Sequence, residues 1–218
     1  VLYDGTPMEG PIGLKAALGL HRKTLDERIL PLEQVREIVR APAHVKLARE
    51  VAEKSVTCVK DVDHLLPLNV ARHRRICWIG KGAPGFLPGQ PPKQADDLRA
   101  GLTARGFAVS DFDPANPPTP ETADLVLYVM CDESSLGKMR IFLNWRVEQE
   151  GLGNMMSRYW HDIPTVLVSF GHPYYLQDAP RVPCCINAYA PVADAQAAVL
   201  ERVTGNAAFS GVSPVDVF

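Results

Sequence analysis

Residues 76–85 read Ile-Cys-Trp-Ile-Gly-Lys-Gly-Ala-Pro-Gly, four apolar residues running straight into a G-x-G-x-x-G. That is the written form of a dinucleotide-binding turn, in which a strand feeds a glycine loop and then a helix. The strand is present. The helix is not, because Pro84, Pro88, Pro91 and Pro92 follow within a few residues. Proline lacks the N–H that a helix interior needs, and its ring clashes with the preceding turn. No helix opens at Gly82 or Gly85, and the next one is expected only from about Pro92 or Lys93. The acidic ribose ligand, expected about 20 residues on, would fall inside that helix. The stretch therefore reads as a core strand ending in a glycine/proline loop.

Outward from this strand the chain alternates regularly. Helix Gln94–Arg105 is closed by Gly106 as a C-cap, and strand Ala108–Phe112 follows. Strand Leu125–Met130 leads to helix Leu136–Glu150, closed by Gly151. Strand Thr165–Phe170 leads to a turn at Tyr174–Gln177. Strand Cys184–Tyr189 leads to helix Ala193–Val203, closed by Gly205. The tail from Phe209 is irregular or a last short strand. Strands of four to six nearly all-apolar residues separated by helices predict a parallel sheet covered on both faces. The expected fold class is α/β, a three-layer αβα sandwich with a mostly parallel sheet of five or six strands. Upstream, the pattern is helical and charged, with segments at 12–18, 32–39 and 43–55, then a short β-branched run Val56–Val59. The expected division is a helical linker over residues 1–42 and the sandwich over 43–218.

Composition bounds the function. Of the 218 residues, 46% are hydrophobic and 22% charged, as in a packed globular chain, and the net charge is -2. Without a basic block there is no electrostatic case for nucleic acid. No apolar run approaches the roughly 20 residues of a membrane helix. The first residue is Val1 rather than Met, so the sequence reads as part of a longer chain. Five cysteines, Cys58, Cys77, Cys131, Cys184 and Cys185, sit mostly in strand-like runs and read as buried thiols. Cys184 and Cys185 point to opposite faces of their strand. There is no C-x-x-C and no zinc spacing. A reducing, cytoplasmic location is favoured over secretion, and no metal or cofactor is expected.

Parallel sheets place ligands at the C-terminal ends of their strands. The loops there carry Lys81, then Asp111 and Asp113, then Asp132 and Glu133, then His172. Carboxylates in such positions suit acid/base work, and loop tips are also simply solvated. Ser169 precedes Phe170-Gly171-His172, but there is no G-x-S-x-G elbow for a serine triad. Met155, Met156, Tyr159 and Trp160, next to His161, are apolar outside the expected core and suit a subunit or domain contact.

Three stretches resemble glycoside hydrolase family three, in its C-terminal sandwich domain and its β-N-acetylglucosaminidase branch. Lys15-Ala16-Ala17-Leu18-Gly19-Leu20 is similar to the K-x-x-L-G-L that closes the family's catalytic barrel. Ala48–Asp61 followed by Leu65-Leu66-Pro67-Leu68 looks like the family's entry into its second domain. Ser169-Phe170-Gly171-His172-Pro173-Tyr174-Tyr175-Leu176 resembles its S-F-G-x-P-Y-x-L. Tyr189, Gly205, Phe209, Gly211, Pro214 and Val215 are similar to its closing pattern. The resemblance implies a missing (β/α)8 barrel that carries the aspartate nucleophile, the K-H-F-P-G-H-G stretch and the Asp–His acid/base pair. None of these occurs here, so no catalytic residue is transferred. Nothing around Glu133, Glu148 or Glu150 matches the glutamate acid of the β-glucosidase branch. The implied role is an accessory domain that packs on the barrel of a glycosidase cleaving β-linked glucosides or N-acetylglucosaminides. In that role Lys81, Asp111, Asp132, Glu133 and His172 are candidates for the substrate rim. Two alternatives stand beside it. One is a stand-alone flavodoxin-like module binding a sugar or nucleotide. The other is an interaction domain that dimerises through Met155–Trp160.

Overall fold

A computed structural model describes residues 9–80, 94–131, 142–150 and 152–218. The chain divides into two compact units, after residue 47. The first unit holds helices α1 (Glu9–Ala17), α2 (Leu25–Arg28) and α3 (Leu32–Ile38). Gly19 ends the first of these with φ 67°, a left-handed conformation that costs glycine little. Thr24 opens α2 with a capping box: its hydroxyl accepts from the Glu27 N–H, and the Glu27 carboxylate accepts from the Thr24 N–H at 2.7 Å. Helix α4 (Pro42–Ser55) runs across the division.

The second unit is the sandwich. Its strands are β1 (Thr57–Asp61), β2 (Arg75–Ile79), β3 (Ala108–Asp111), β4 (Leu125–Met130), β5 (Thr165–Ser169) and β6 (Cys184–Asn187). The helices are α5 (Asp96–Ala104), α6 (Trp145–Glu148) and α7 (Ala193–Val203). The six strands form one sheet in the order β1-β6-β5-β4-β2-β3. All neighbours are parallel except β1, which pairs antiparallel with β6 at the edge. Every residue of β4, β5 and β6 is buried, which explains why β4 is apolar throughout and why β5 and β6 are apolar except at Thr165, Ser169 and Asn187.

Two cores lie on the two faces. One packs Ile76, Trp78, Leu125, Leu127, Val166, Val168, Cys184 and Ile186 under α5 and α7, through Leu98, Leu102, Val199 and Val203. The other packs Val126, Tyr128, Leu167 and Cys185 under Leu143, Tyr175 and Leu176. Strand alternation separates the adjacent cysteines as expected, one in each core. The chain winds outward from β2 to β3, then returns across β2 to β4 and continues to β6. Reversing direction moves the right-handed connections to the opposite face. Helix α5 therefore covers one side, while α6 and the 3-10 turn Pro173–Asp178 lie on the other.

Three expectations are corrected. Among the described residues, the helix expected over 136–150 is a single turn, Trp145–Glu148. The Leu143 N–H donates to the Asp178 carboxylate at 2.7 Å instead of to a helical carbonyl, and Glu150 ends the turn at φ 49°. Strand β6 stops at Asn187, and Tyr189 turns into φ 65° with its hydroxyl 3.2 Å from Thr57 Oγ1. Tyr159 is a core residue and Trp160 is a half-buried one packed against that core. Tyr159 is buried against Phe112 at 6.0 Å, and Trp160 packs edge-on to Tyr128 at 6.2 Å. Only Met156 of that group is largely exposed.

Gly80 follows β2 where β4 runs alongside. A Cβ there would lie 2.1 Å from the Val129 carbonyl oxygen, which cannot yield without moving the strand. Replacing Gly80 with Ala should cost about 1–3 kcal/mol by overpacking, read as a lower urea midpoint. His73 is buried, and its Nδ1 accepts from the Asn69 N–H at 3.1 Å. Burial, aided by Arg72 and opposed by Asp124, holds its pKa below the ordinary 6.5. The unfolded chain then takes up a proton that the folded chain refuses, so stability falls as pH drops below 6.5 toward the folded pKa. Urea midpoints measured from roughly pH 7 to pH 5 should fall, and His73→Asn should flatten that slope.

Candidate functional site

The direction reversal between β2 and β4 makes a switch point, where the outgoing loops part and leave a crevice. A cleft of about 240 Å³ occupies this place, lined by Trp78, Gly80, Gln94, Asp96, Arg99, Asp111 and Cys131 among others. That is below the roughly 300–1,000 Å³ of ordinary small-molecule sites. Its floor is the C-terminal end of β2 and β4, and one wall is the first turn of α5. Gln196 of α7 sets that wall: it accepts from the Leu98 N–H at 3.1 Å and donates to the Pro191 carbonyl at 2.9 Å.

Asp111 ends β3 at the rim. Its carboxylate is held by both guanidinium nitrogens of Arg99, at 2.6 and 3.0 Å, and the guanidinium lies 5.8 Å from the Trp78 ring. The hydrogen bond to Asp111 raises the Arg99 pKa further. Asp96 and Asp97 occupy the first turn of α5, where a pyrophosphate would need positive potential. Helix α5 opens at Asp96, 16 residues past Gly80, so the glycines do not lead into a phosphate-facing helix. The remaining glycines of the motif, with Lys81, Asp132 and Glu133, lie outside the described residues. Arg99 is the rim residue that strand-end reasoning missed, because it projects from the second turn of a helix; its pairing with Asp111 was not signalled by sequence spacing.

His172 lies elsewhere along the same edge, after β5. Two strands separate β3 from β5, so the strand that ends in Asp111 and the strand that precedes His172 are three spacings of roughly 4.8 Å apart, about 14 Å. His172 serves its own turn: its ring stacks on Tyr174 at 5.0 Å, and Nδ1 accepts from the Tyr174 N–H at 3.4 Å. Ser169 Oγ donates to the His172 carbonyl at 3.5 Å, and its imidazole is otherwise engaged, so no serine triad forms. Beside Ser169, Asn187 is fully buried and neither atom of its amide has a hydrogen-bond partner. His161 and Asp162 lie at the opposite edge of the sheet, in a cleft of about 460 Å³ with Arg72, His73 and Trp160. Among the described residues, no three His, Cys, Asp or Glu side chains are grouped to hold a metal ion, and no helix is long and apolar enough to cross a membrane.

No family model matches the chain. It is 34% identical, over 95% of its length, to the beta-N-acetylglucosaminidase/beta-glucosidase of Cellulomonas fimi, and spans 37% of that protein. The solved beta-glucoside phosphorylase BglX superposes with a TM-score of 0.80 at 29% identity, over 95% of this chain and 37% of its own. A family 3 beta-N-acetylglucosaminidase from Paenibacillus sp. FPU-7 shares the fold, with a TM-score of 0.57 at 15% identity, over 95% of this chain and 39% of its own. With its six-stranded, mostly parallel sheet and these likenesses, the chain resembles the C-terminal αβα region of glycoside hydrolase family 3.

Proposed function

We propose that this chain is the accessory sandwich of a longer enzyme acting on β-linked glucosides or N-acetylglucosaminides, with its switch-point edge turned toward a separate catalytic barrel. One observation carries the proposal: the chain is similar throughout to a β-N-acetylglucosaminidase/β-glucosidase yet spans 37% of it. The geometry supports it. Retaining glycoside cleavage needs two carboxyl groups about 5–5.5 Å apart. Among the described residues the crevice has two carboxylates, Asp96 in the first turn of α5 and Asp111 at the rim, and Asp111 is already paired with Arg99 and does not stand as a free nucleophile. The first unit supports the same conclusion. Ile12, Leu14, Leu18, Leu25, Ile29 and Leu30 are all exposed, and water-facing apolar side chains in that density mark a contact surface. In this role Asp111 and Arg99 form a polar rim, while the buried strands hold it at fixed height.

A second function follows from the likeness to a phosphorylase: the parent enzyme transfers the sugar to inorganic phosphate instead of water. Nitrophenyl β-N-acetylglucosaminide and β-glucoside, assayed with and without phosphate, separate the two. The isolated 218 residues should turn over neither substrate, while the full-length parent turns over at least one. Hydrolysis by the isolated chain at the parent's rate would sink the proposal. Phosphate-dependent release of sugar phosphate by the parent would select the second function. In the parent, Asp111→Ala should raise KM about 2- to 10-fold with kcat nearly unchanged, the effect of one lost hydrogen bond of about 0.5–1.5 kcal/mol.

A further inference from the structure

Cys58 and Cys184 lie on neighbouring strands at the edge of the sheet. Cys58 of β1 stands opposite Ile186 of β6, and Cys184 is two residues from Ile186 on the same strand. Side chains two apart on a strand share a face, so both thiols project to the same side as diagonal neighbours. The register shifts between Cys58 and Lys60, a bulge that bends the edge strand locally. The Cys184 thiol neighbours Cys58 on this face, and the Cys58 thiol donates to the Lys60 carbonyl across the bulge at 3.6 Å. Both cysteines are free thiols in this structure, Cys58 half-buried and Cys184 fully buried. The other three do not share this arrangement. Cys185 belongs to the opposite core, as does Cys77, and Cys131 follows β4, two strands away from β6.

We propose that Cys58 and Cys184 are a redox-active dithiol, a modification site for low-molecular-weight disulfides of the glutathione class. The two sulfurs have unequal roles. The neighbouring Cys184 thiol, with the Lys60 backbone, holds the Cys58 pKa below the usual thiol value, against the opposing effects of burial and Asp61. The same contact and burial push Cys184 up. Cys58 is thus the more readily ionised of the two, and, half-buried on the edge strand, it is the one an oxidant reaches. In the first step Cys58 S⁻ attacks the glutathione disulfide, forming a Cys58–glutathione bond and expelling one glutathione thiolate. In the second, Cys184 loses its proton and attacks Cys58 Sγ, expelling the second glutathione. The protein loses two electrons and two protons, and one glutathione disulfide becomes two glutathione thiols. The sulfurs must close to about 2.05 Å. Strand β1 has a single strand neighbour, and its bulge gives the approach somewhere to go.

The test is to incubate the reduced full chain with oxidised glutathione, quench in acid, alkylate under denaturing conditions and map the peptides. The expected result is a fall from five alkylatable thiols to three, a Cys58–Cys184 linked peptide pair, reversal by dithiothreitol and a higher thermal midpoint. Cys58→Ser should remain unlinked. Cys184→Ala should instead accumulate a lasting glutathione adduct at Cys58, because the resolving thiol is gone. If Cys184→Ala fails to fold, wild-type time points serve, showing the Cys58 adduct appear and decay before the link. Five thiols persisting, a stable Cys58 adduct in the wild type, or a link through any other cysteine would each overturn the proposal.

Discussion

Burial of β4, β5 and β6 on both faces is the constraint from which the rest follows. A strand with no solvent side needs cover above and below, so the chain must lay connections on both faces of the sheet. Right-handed crossovers permit this only if the strand order reverses once. The reversal falls at β2, and a crevice opens there because adjacent loops leave in opposite directions. The place of the site is therefore a property of the core. The side chains around it, Asp111 with Arg99 above Trp78, only give that place its chemistry.

Gly80 shows how a motif can mislead about function while reporting faithfully on packing. Its lack of a side chain looks like room for a phosphate. In the structure that room is filled by the Val129 carbonyl of the neighbouring strand. Glycine is required by the sheet's own backbone, just past the end of β2 where the chain still runs beside β4. The acidic first turn of α5 adds an electrostatic reason against a bound pyrophosphate.

The parallel strands were legible because burial on both faces leaves an unbroken apolar run, as in Leu125–Met130 and Val166–Val168. Helices α5 and α7 were legible through their periodicity and their closing glycines, Gly106 and Gly205, both at positive φ. What failed depended on partners distant in sequence. Nothing near Leu143 announces that its N–H will meet Asp178, and nothing near Tyr159 announces a place against Phe112. The antiparallel seating of β1 beside β6 has no local signal either, since those strands are joined only through the whole sheet. At the site, Asp111 was legible as a strand-end carboxylate. Its partner Arg99 was not, because that pairing is made by folding a helix back over the strand edge.

Gln196 has a wider reach than its burial suggests. It stands in the last helix, yet its amide fastens the start of α5 and so the wall of the crevice. The C-terminal helix is thereby a structural lever on the switch-point edge. Truncating the chain before α7 would remove a jig as well as a cover, leaving the rim present in sequence but no longer held at a definite height. Evolution at this edge is consequently tied to a residue about a hundred positions away, and swapping the rim loops between relatives requires carrying the last helix along with them.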